Sequence, residues 1–99
     1  MAKIISIDDS ATIRNMVKGA VDVLGFEFLE AENGEQGLEV IQRHVSDLSL
    51  IVCDWEMPVL NGLDTTVKLK ENPETKAIPI LMLTTVNQAQ QLRQLSKFK

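Results

Sequence analysis

The chain has 99 residues, 44% hydrophobic and 24% charged, a composition typical of one globular domain rather than of a disordered or fibrous protein. Its formal net charge is −4 at pH 7, which disfavours long-range attraction to nucleic acid or to an anionic membrane. The single cysteine, Cys53, has no disulfide partner, and no charged leader or long apolar run signals secretion or membrane insertion. We therefore expect a cytoplasmic domain over residues 1–99 that binds neither nucleic acid nor membrane directly.

The chain opens with a predicted strand and a predicted helix. Lys3–Ile7 is rich in β-branched apolar residues, which predicts a short strand buried on both faces. Ser10 is placed to cap a helix, and Gly25 is placed to end it. The apolar residues of this helix keep helical spacing: Ile13, Met16, Val17, Ala20, Val21 and Leu24.

A second strand and a second helix follow in the same order. Residues 26–31 predict the strand, and Asn33-Gly34 predicts a turn after it. A helix through about His44 follows, with its apolar face marked by Leu38, Ile41 and Val45.

The second half of the chain repeats the alternation. Residues 48–53 predict a third strand that contains Cys53 and ends at Asp54, and Pro58, Asn61 and Gly62 predict a loop. A short helix over 63–70 with Val67 facing inward comes next, then a fourth strand over 78–83 that finishes at Thr84. A last amphipathic helix is predicted from Ala89, Leu92 and Leu95.

Strands that alternate with helices predict an α/β fold, a doubly wound parallel sheet with right-handed crossovers and helices on both faces. In such sheets the ligand site lies beyond the carboxyl ends of the strands. Asp8, Asp9, Asp54 and Thr84 all fall at such ends. We therefore expect these four side chains to form one site.

Three carboxylates at one edge of a sheet repel one another, so they need a raised pKa or a bound cation. A hard divalent ion such as Mg²⁺ suits oxygen ligands. With such an ion in place, a carboxylate can attack the phosphorus of a phosphodonor. Asp54, at the end of the buried third strand, is the candidate nucleophile.

These residues, in this order, resemble the receiver domain of two-component response regulators. The resemblance rests on Asp8-Asp9, on the segment 54–62 (Asp-Trp-Glu-Met-Pro-Val-Leu-Asn-Gly) and on Thr84, and it runs from residue 3 to about residue 93. It implies a flavodoxin-like topology with strand order 2-1-3-4. It also implies a phosphorylation switch, chemotaxis-like, that takes its phosphoryl group from a histidine kinase and signals to a target protein.

The resemblance further assigns roles to individual residues. Asp9 would bind Mg²⁺ directly and Asp8 mainly through water, while Asp54 would bind the ion and accept the phosphoryl group. The backbone carbonyl of Glu56 would complete the protein ligands, and Thr84 would contact the phosphoryl oxygen and act as a switch residue.

Other interpretations of the same residues stay open. Asp8-Asp9 could do no more than cap the following helix, and Thr84 could be an ordinary strand residue. A flavin-binding protein of the same architecture is a further alternative, although an acidic pair after the first strand would repel a flavin phosphate. A self-associating module that keeps the receiver scaffold without its signalling chemistry is the main alternative function.

The sequence departs from the family pattern at its C-terminal end. A full receiver has a fifth strand and helix, with a lysine that pairs with the phosphoryl group, and this sequence stops before both. Lys97 and Lys99 follow Thr84 too closely for that role, because a crossover and strand need roughly twenty residues. We therefore expect slow phosphorylation, and an exposed fourth-strand edge that favours a symmetric homodimer or an exchange of C-terminal segments between two chains.

Overall fold

The structure is a computed structural model that describes residues 2–55 and 59–83. Strands and helices alternate along these ranges: β1 (Lys3–Ile7), α1 (Ala11–Leu24), β2 (Glu27–Ala31), α2 (Gly34–Arg43), β3 (Leu48–Asp54), α3 (Gly62–Glu71) and β4 (Ile80–Leu83). The four strands are parallel and lie in the order β2-β1-β3-β4. The predicted fold class and strand order are confirmed. The predicted last helix and Thr84 lie outside the described residues.

Helix α1 begins and ends at the residues that the sequence predicts. The Ser10 hydroxyl accepts a hydrogen bond from the Ile13 backbone N–H at 3.3 Å, which satisfies one of the unpaired donors of the first turn. Gly25 ends the helix in the left-handed conformation, with φ of 81°, and its N–H donates to the Asp22 carbonyl.

Helices α2 and α3 each begin at an asparagine. The Asn33 side chain accepts from the Gln36 N–H at 2.8 Å, and the Asn61 side chain accepts from the Asp64 N–H at 2.9 Å. The predicted Asn33-Gly34 turn is therefore the start of α2, with Gly34 already inside the helix. An asparagine followed by glycine is compatible with a turn and with a helix start, so the local signal alone was ambiguous.

The inward face of α3 differs from the prediction. Val67 is only half-buried, and the buried positions of the helix are Gly62, Thr65, Thr66 and Leu69. Both threonine hydroxyls donate to a carbonyl one turn earlier, at 2.7 and 2.8 Å, so they are satisfied inside the helix and can be buried. Apolar periodicity in the sequence does not reveal a buried helix face that is made largely of threonine and glycine.

The sheet carries helices on both faces. On one face, α2 and α3 cover a core built around Ile5, Ile7, Ile51 and Cys53. On the other face, α1 packs through Val17 and Val21 on a second cluster whose buried strand residues are Ile4 and Val52. Cys53 is fully buried, as predicted. The two layers fix the strands so that their carboxyl ends share one edge of the sheet.

Candidate metal centre

The register of the sheet brings the acidic residues together. Ile7 of β1 lies beside Cys53 of β3, so Asp8 and Asp54 each follow at the same level of two neighbouring strands. One carboxylate oxygen from each of Asp8, Asp9 and Asp54 lies within 4.8 Å of the other two. The structure therefore gathers the three acidic residues that the sequence places in one site.

The three carboxylates differ in exposure and in electrostatic surroundings. Asp8 is buried, Asp54 is half-buried and Asp9 is exposed. Burial raises the pKa of the Asp8 carboxyl above its usual value, and the negative charge of Asp9 raises this pKa further. The Ser10 backbone N–H donates to Asp8 Oδ1 at 2.9 Å and opposes that rise. A cation would relieve the repulsion, which is the physical reason that a metal fits this donor set.

Cys53 precedes Asp54 but is not a competing nucleophile. Burial raises the pKa of its thiol to about 12, with Asp54 as a further cause, so the side chain stays a neutral thiol at physiological pH. The remaining candidate nucleophile of the pair is the half-buried carboxylate of Asp54.

The chain on both sides of residues 56–58 is fixed close to Asp54. The Trp55 N–H donates to the Leu83 carbonyl of β4 at 3.3 Å, and the Gly62 N–H donates to the Trp55 carbonyl at 2.7 Å. A Cβ atom at Gly62 would lie 2.4 Å from the Asp54 carbonyl oxygen, so α3 starts in close contact with the end of β3. Trp55 itself is buried, with 5% exposure.

The site opens into a groove of about 610 Å³. One end of the groove is acidic, formed by the cluster of Asp8, Asp9 and Asp54, and the rest is mainly apolar. The other lining residues are Ser10, Ile13, Met16, Val17, Ala20 and Leu83. The carboxylates can therefore be reached from outside.

Two predicted site residues, Glu56 and Thr84, lie outside the described residues. The structure adds Arg14, which the sequence patterns did not predict as a site residue and whose guanidinium contacts both the Asp8 backbone carbonyl and Glu30. An arginine in the first turns of a helix that follows an acidic pair, with a glutamate near the end of the neighbouring strand, was the available signal. Reading that signal requires the strand order, because Glu30 belongs to β2 and not to the acidic cluster.

Comparison with known proteins agrees with this geometry. The sequence model of one protein family, the response regulator receiver domain, matches residues 4–98 of this chain. The chain belongs to the response regulator receiver domain family. Receiver domains act as signalling switches rather than as classical enzymes, and they typically bind Mg²⁺ at an acidic pocket.

Similar proteins include both chemotaxis proteins and a transcriptional regulator. The chemotaxis protein CheY1 of Helicobacter pylori is 39% identical over 84 residues, which cover 84% of this chain and 67% of that protein. The phosphate regulon transcriptional regulatory protein PhoB of Pseudomonas aeruginosa is 42% identical over 81 residues, 82% of this chain and 34% of that protein. The chain thus spans about two thirds of the length of this chemotaxis relative.

Solved receiver structures have the same fold. The chemotaxis response regulator CheY4 of Vibrio cholerae superimposes with a TM-score of 0.88 at 31% identity, covering 99% of this chain and 80% of that chain. A response regulator receiver domain protein from Clostridium thermocellum gives 0.88 at 27% identity, covering 98% and 75%. Within the described residues, no helix is both long enough and apolar enough to cross a membrane.

Proposed function

We propose that this chain is a single receiver domain that works in the cytoplasm as a Mg²⁺-dependent phosphoacceptor switch, with Asp54 accepting the phosphoryl group from a histidine kinase. The observation that carries this proposal is the set of three carboxylates, within 4.8 Å of one another, at the carboxyl ends of two neighbouring strands. Capping of α1 does not account for this arrangement, because Asp54 comes from β3, far from that helix in sequence.

The residues at the strand ends have different proposed roles in metal binding and phosphoryl transfer. Asp8 and Asp9, at the end of β1, would hold Mg²⁺ together with Asp54. When bound, Mg²⁺ offsets negative charge on the transferring phosphoryl group. An Asp54 carboxylate oxygen forms a bond to phosphorus, and the bond from phosphorus to the donor imidazole nitrogen breaks, which leaves an aspartyl phosphate and a free donor histidine. The proposed Glu56 carbonyl ligand and the proposed Thr84 contact rest on the family resemblance alone.

The test is intact-mass spectrometry after incubation with MgCl₂ and a small acyl phosphate. We expect the parent chain to gain the mass of one phosphoryl group, and Asp54→Asn to gain none. Asp64→Asn is a matched control, because Asp64 is an exposed aspartate on α3 outside the cluster. A parent chain that stays unmodified, or an Asp54→Asn chain that is modified as the parent is, would contradict the proposal.

The output of the switch is proposed to be a protein contact. The chain carries a net charge of −4, which disfavours direct binding to a nucleic-acid backbone. Its relatives include a chemotaxis protein and a transcriptional regulatory protein, which differ in their output. We therefore propose only that the target is a partner protein.

A second candidate function, self-association, is favoured by the groove. Its apolar lining includes Met16 of α1, which is 67% exposed, and on the same sheet face Leu81 of β4 is 52% exposed. Large exposed apolar side chains on one face are typical of an interaction surface. We propose a second copy of this chain as the occupant, in a symmetric homodimer.

Charge supports a second copy in one particular orientation. Helix α1 has 14 residues and is therefore about 21 Å long, with Met16 near its middle and the acidic cluster beyond its N-terminal end. A two-fold axis that passes near Met16 pairs the two copies of α1 in antiparallel orientation. The acidic clusters then lie at opposite ends of the pair, farther apart than the screening length of about 8 to 10 Å.

Sedimentation equilibrium tests this dimer. We expect Met16→Glu to weaken association strongly, whereas Val23→Glu should not, because Val23 is even more exposed on the same helix (87%) but does not line the groove. A compact parent monomer at micromolar concentration would contradict the dimer. A dimer that does not respond to Mg²⁺ or phosphodonor would favour a pure association module, and one that responds to either would favour the switch.

A further inference from the structure

Arg14 connects three parts of the molecule beside the acidic cluster. From α1, its Nε donates to Glu30 Oε1 of β2 at 2.7 Å, and its Nη1 donates to the backbone carbonyl oxygen of Asp8 at 2.6 Å. The Arg14 side chain is only 11% exposed, whereas its carboxylate partner is 52% exposed. The guanidinium thus makes two directed, charge-assisted contacts in a largely buried position.

These contacts complete the fixation of Asp8. The Asp8 backbone N–H donates to the Ala31 carbonyl at 3.1 Å, and its side chain accepts from the Ser10 N–H at 2.9 Å. The Asp8 backbone carbonyl oxygen accepts a hydrogen bond from Arg14 Nη1. Donor, acceptor and carboxylate of Asp8 are therefore each held by a different group, and the peptide bond that joins Asp8 to Asp9 is held from α1.

We infer that Arg14 is a positioning residue for the divalent cation. By holding the Asp8 carbonyl against α1 and β2, it fixes the backbone from which the Asp8 and Asp9 carboxylates reach toward Asp54. Mg²⁺ demands near-ideal ligand geometry, so a loosely held pair of carboxylates binds it more weakly. This inference rests on the proposed function, in which the acidic cluster holds Mg²⁺.

Charge and positioning predict opposite effects of removing Arg14. A positive charge near the cluster repels a dication, so its removal alone would strengthen Mg²⁺ binding. Loss of positioning weakens that binding. The direction of the change in Mg²⁺ affinity therefore separates the two roles. Replacing a purely structural residue far from the site would leave the Mg²⁺ affinity unchanged.

The experiment is an NMR titration of the full chain with MgCl₂, following the backbone amides of residues 8–10. We expect Arg14→Met to raise the Kd for Mg²⁺ about tenfold or more, as supporting residues around metal ligands do. Arg14→Lys should recover only part of the affinity, because one ammonium group does not reproduce the two-nitrogen contact. Lys18→Met is the matched control, since it removes a cation one turn later from an exposed pair with Asp22.

A readout without metal accompanies the titration. In the metal-free chain, Arg14→Met should accelerate hydrogen exchange at the Ser10 amide, which donates to Asp8 Oδ1, and Lys18→Met should not. If Arg14→Met fails to fold, Glu30→Gln serves in its place; it weakens the grip on the guanidinium and should raise the Kd in the same direction by a smaller factor.

The outcomes separate this inference from the proposed function. Parent and Arg14→Met chains that bind Mg²⁺ equally, or tighter binding by the variant, would overturn the positioning role and leave the proposed function standing. A parent chain that does not bind Mg²⁺ would overturn both.

Discussion

At the scale of single residues, Val59 has an unusual backbone. Its φ is 71°, in the left-handed region that β-branched residues rarely adopt, and its side chain is 73% exposed. Since little of the side chain is buried, a residue that tolerates this conformation should relieve strain at little cost in packing. We expect Val59→Asn to stabilise the fold by about 1 kcal/mol in urea unfolding.

Val23→Asn is the control for this substitution. Val23 is also an exposed valine, but it lies within α1, where the backbone is helical, so the same replacement should give no stabilisation. Equal effects at the two positions would mean that the gain comes from lost surface apolarity and not from relief of backbone strain.

Gly62 is required for a different physical reason. The sequence predicts Gly62 as a loop residue before the third helix, and the structure shows that the requirement is space: an added Cβ would lie 2.4 Å from the Asp54 carbonyl oxygen and 2.8 Å from the Trp55 Cα. We expect Gly62→Ala to destabilise the domain by about 1 to 3 kcal/mol in urea unfolding. Gly19→Ala should be neutral or stabilising, because Gly19 is helical with nothing near its Cβ position.

The acidic residues were predictable from sequence and Arg14 was not. The pair Asp8-Asp9 and the single residue Asp54 each come directly after an apolar run, so their place at strand ends can be read along the chain. Arg14 contacts Glu30 across a sequence separation of 16 residues, and that contact depends on β2 lying beside β1. Local patterns do not contain that information.

At the scale of elements, an ionic cluster joins the starts of three strands at the edge opposite the acidic site. Lys3 of β1 pairs with Asp47, directly before β3, and with Glu27 of β2 at 3.2 Å. The backbone N–H of Lys3 also donates to the backbone carbonyl of Asp47 at 2.9 Å. The hydrogen bond to Asp47 is the main cause that raises the pKa of Lys3, and the same contact lowers the pKa of Asp47.

The sign of the pH effect follows from these shifts. The lowered pKa of Asp47 contributes stability that is present above its ordinary value of 3.8 and is lost as the pH falls through the folded value. The raised pKa of Lys3 contributes stability that is present below 10.5 and is lost above the folded value. We expect Asp47→Asn to reduce the loss of stability in acid, measured by urea unfolding between pH 2 and 7. An unchanged acid profile would mean that the pair contributes nothing measurable.

Capped and apolar elements were predicted better than elements that bury polar groups. The boundaries of α1 follow from Ser10 and Gly25, which are strong local signals. The inward face of α3 was missed because Thr65 and Thr66 are buried only after their hydroxyls bond to the preceding turn. The predicted fourth strand, 78–83, is shorter in the structure, where β4 is Ile80–Leu83 and Ile78 is buried just before it.

At the scale of the whole molecule, alternation of strands and helices determined the fold class, and the family resemblance supplied the strand order. Both are confirmed. The exposed apolar face around Met16 and Leu81 was predicted only indirectly, through the edge of the fourth strand. Its extent depends on which side of the sheet α1 occupies, and that follows from three-dimensional packing rather than from the pattern of one segment.

The substitution Asp8→Asn tests whether the ionised carboxylate of the acidic cluster lowers the stability of the metal-free fold. The pKa of Asp8 is raised, so its ionised form destabilises the metal-free fold at neutral pH. A neutral isostere removes this cost, and its side-chain oxygen still accepts from the Ser10 N–H. We therefore expect a higher Tm for Asp8→Asn than for the parent at pH 7 without Mg²⁺. The difference should shrink as the pH falls toward 3.8 and below, where the parent carboxyl is protonated.

Mg²⁺ should reverse the order of stability. An ion that binds only the folded chain stabilises it by RT ln(1 + [L]/Kd), and the variant has lost one carboxylate ligand. The Tm of the parent should rise steeply with MgCl₂ in circular dichroism melts, and that of Asp8→Asn only slightly. Asp22→Asn changes an exposed carboxylate paired with Lys18 and should follow the parent. A lower Tm for Asp8→Asn without Mg²⁺ would show that Asp8 stabilises the fold through its contacts more than its buried charge destabilises it.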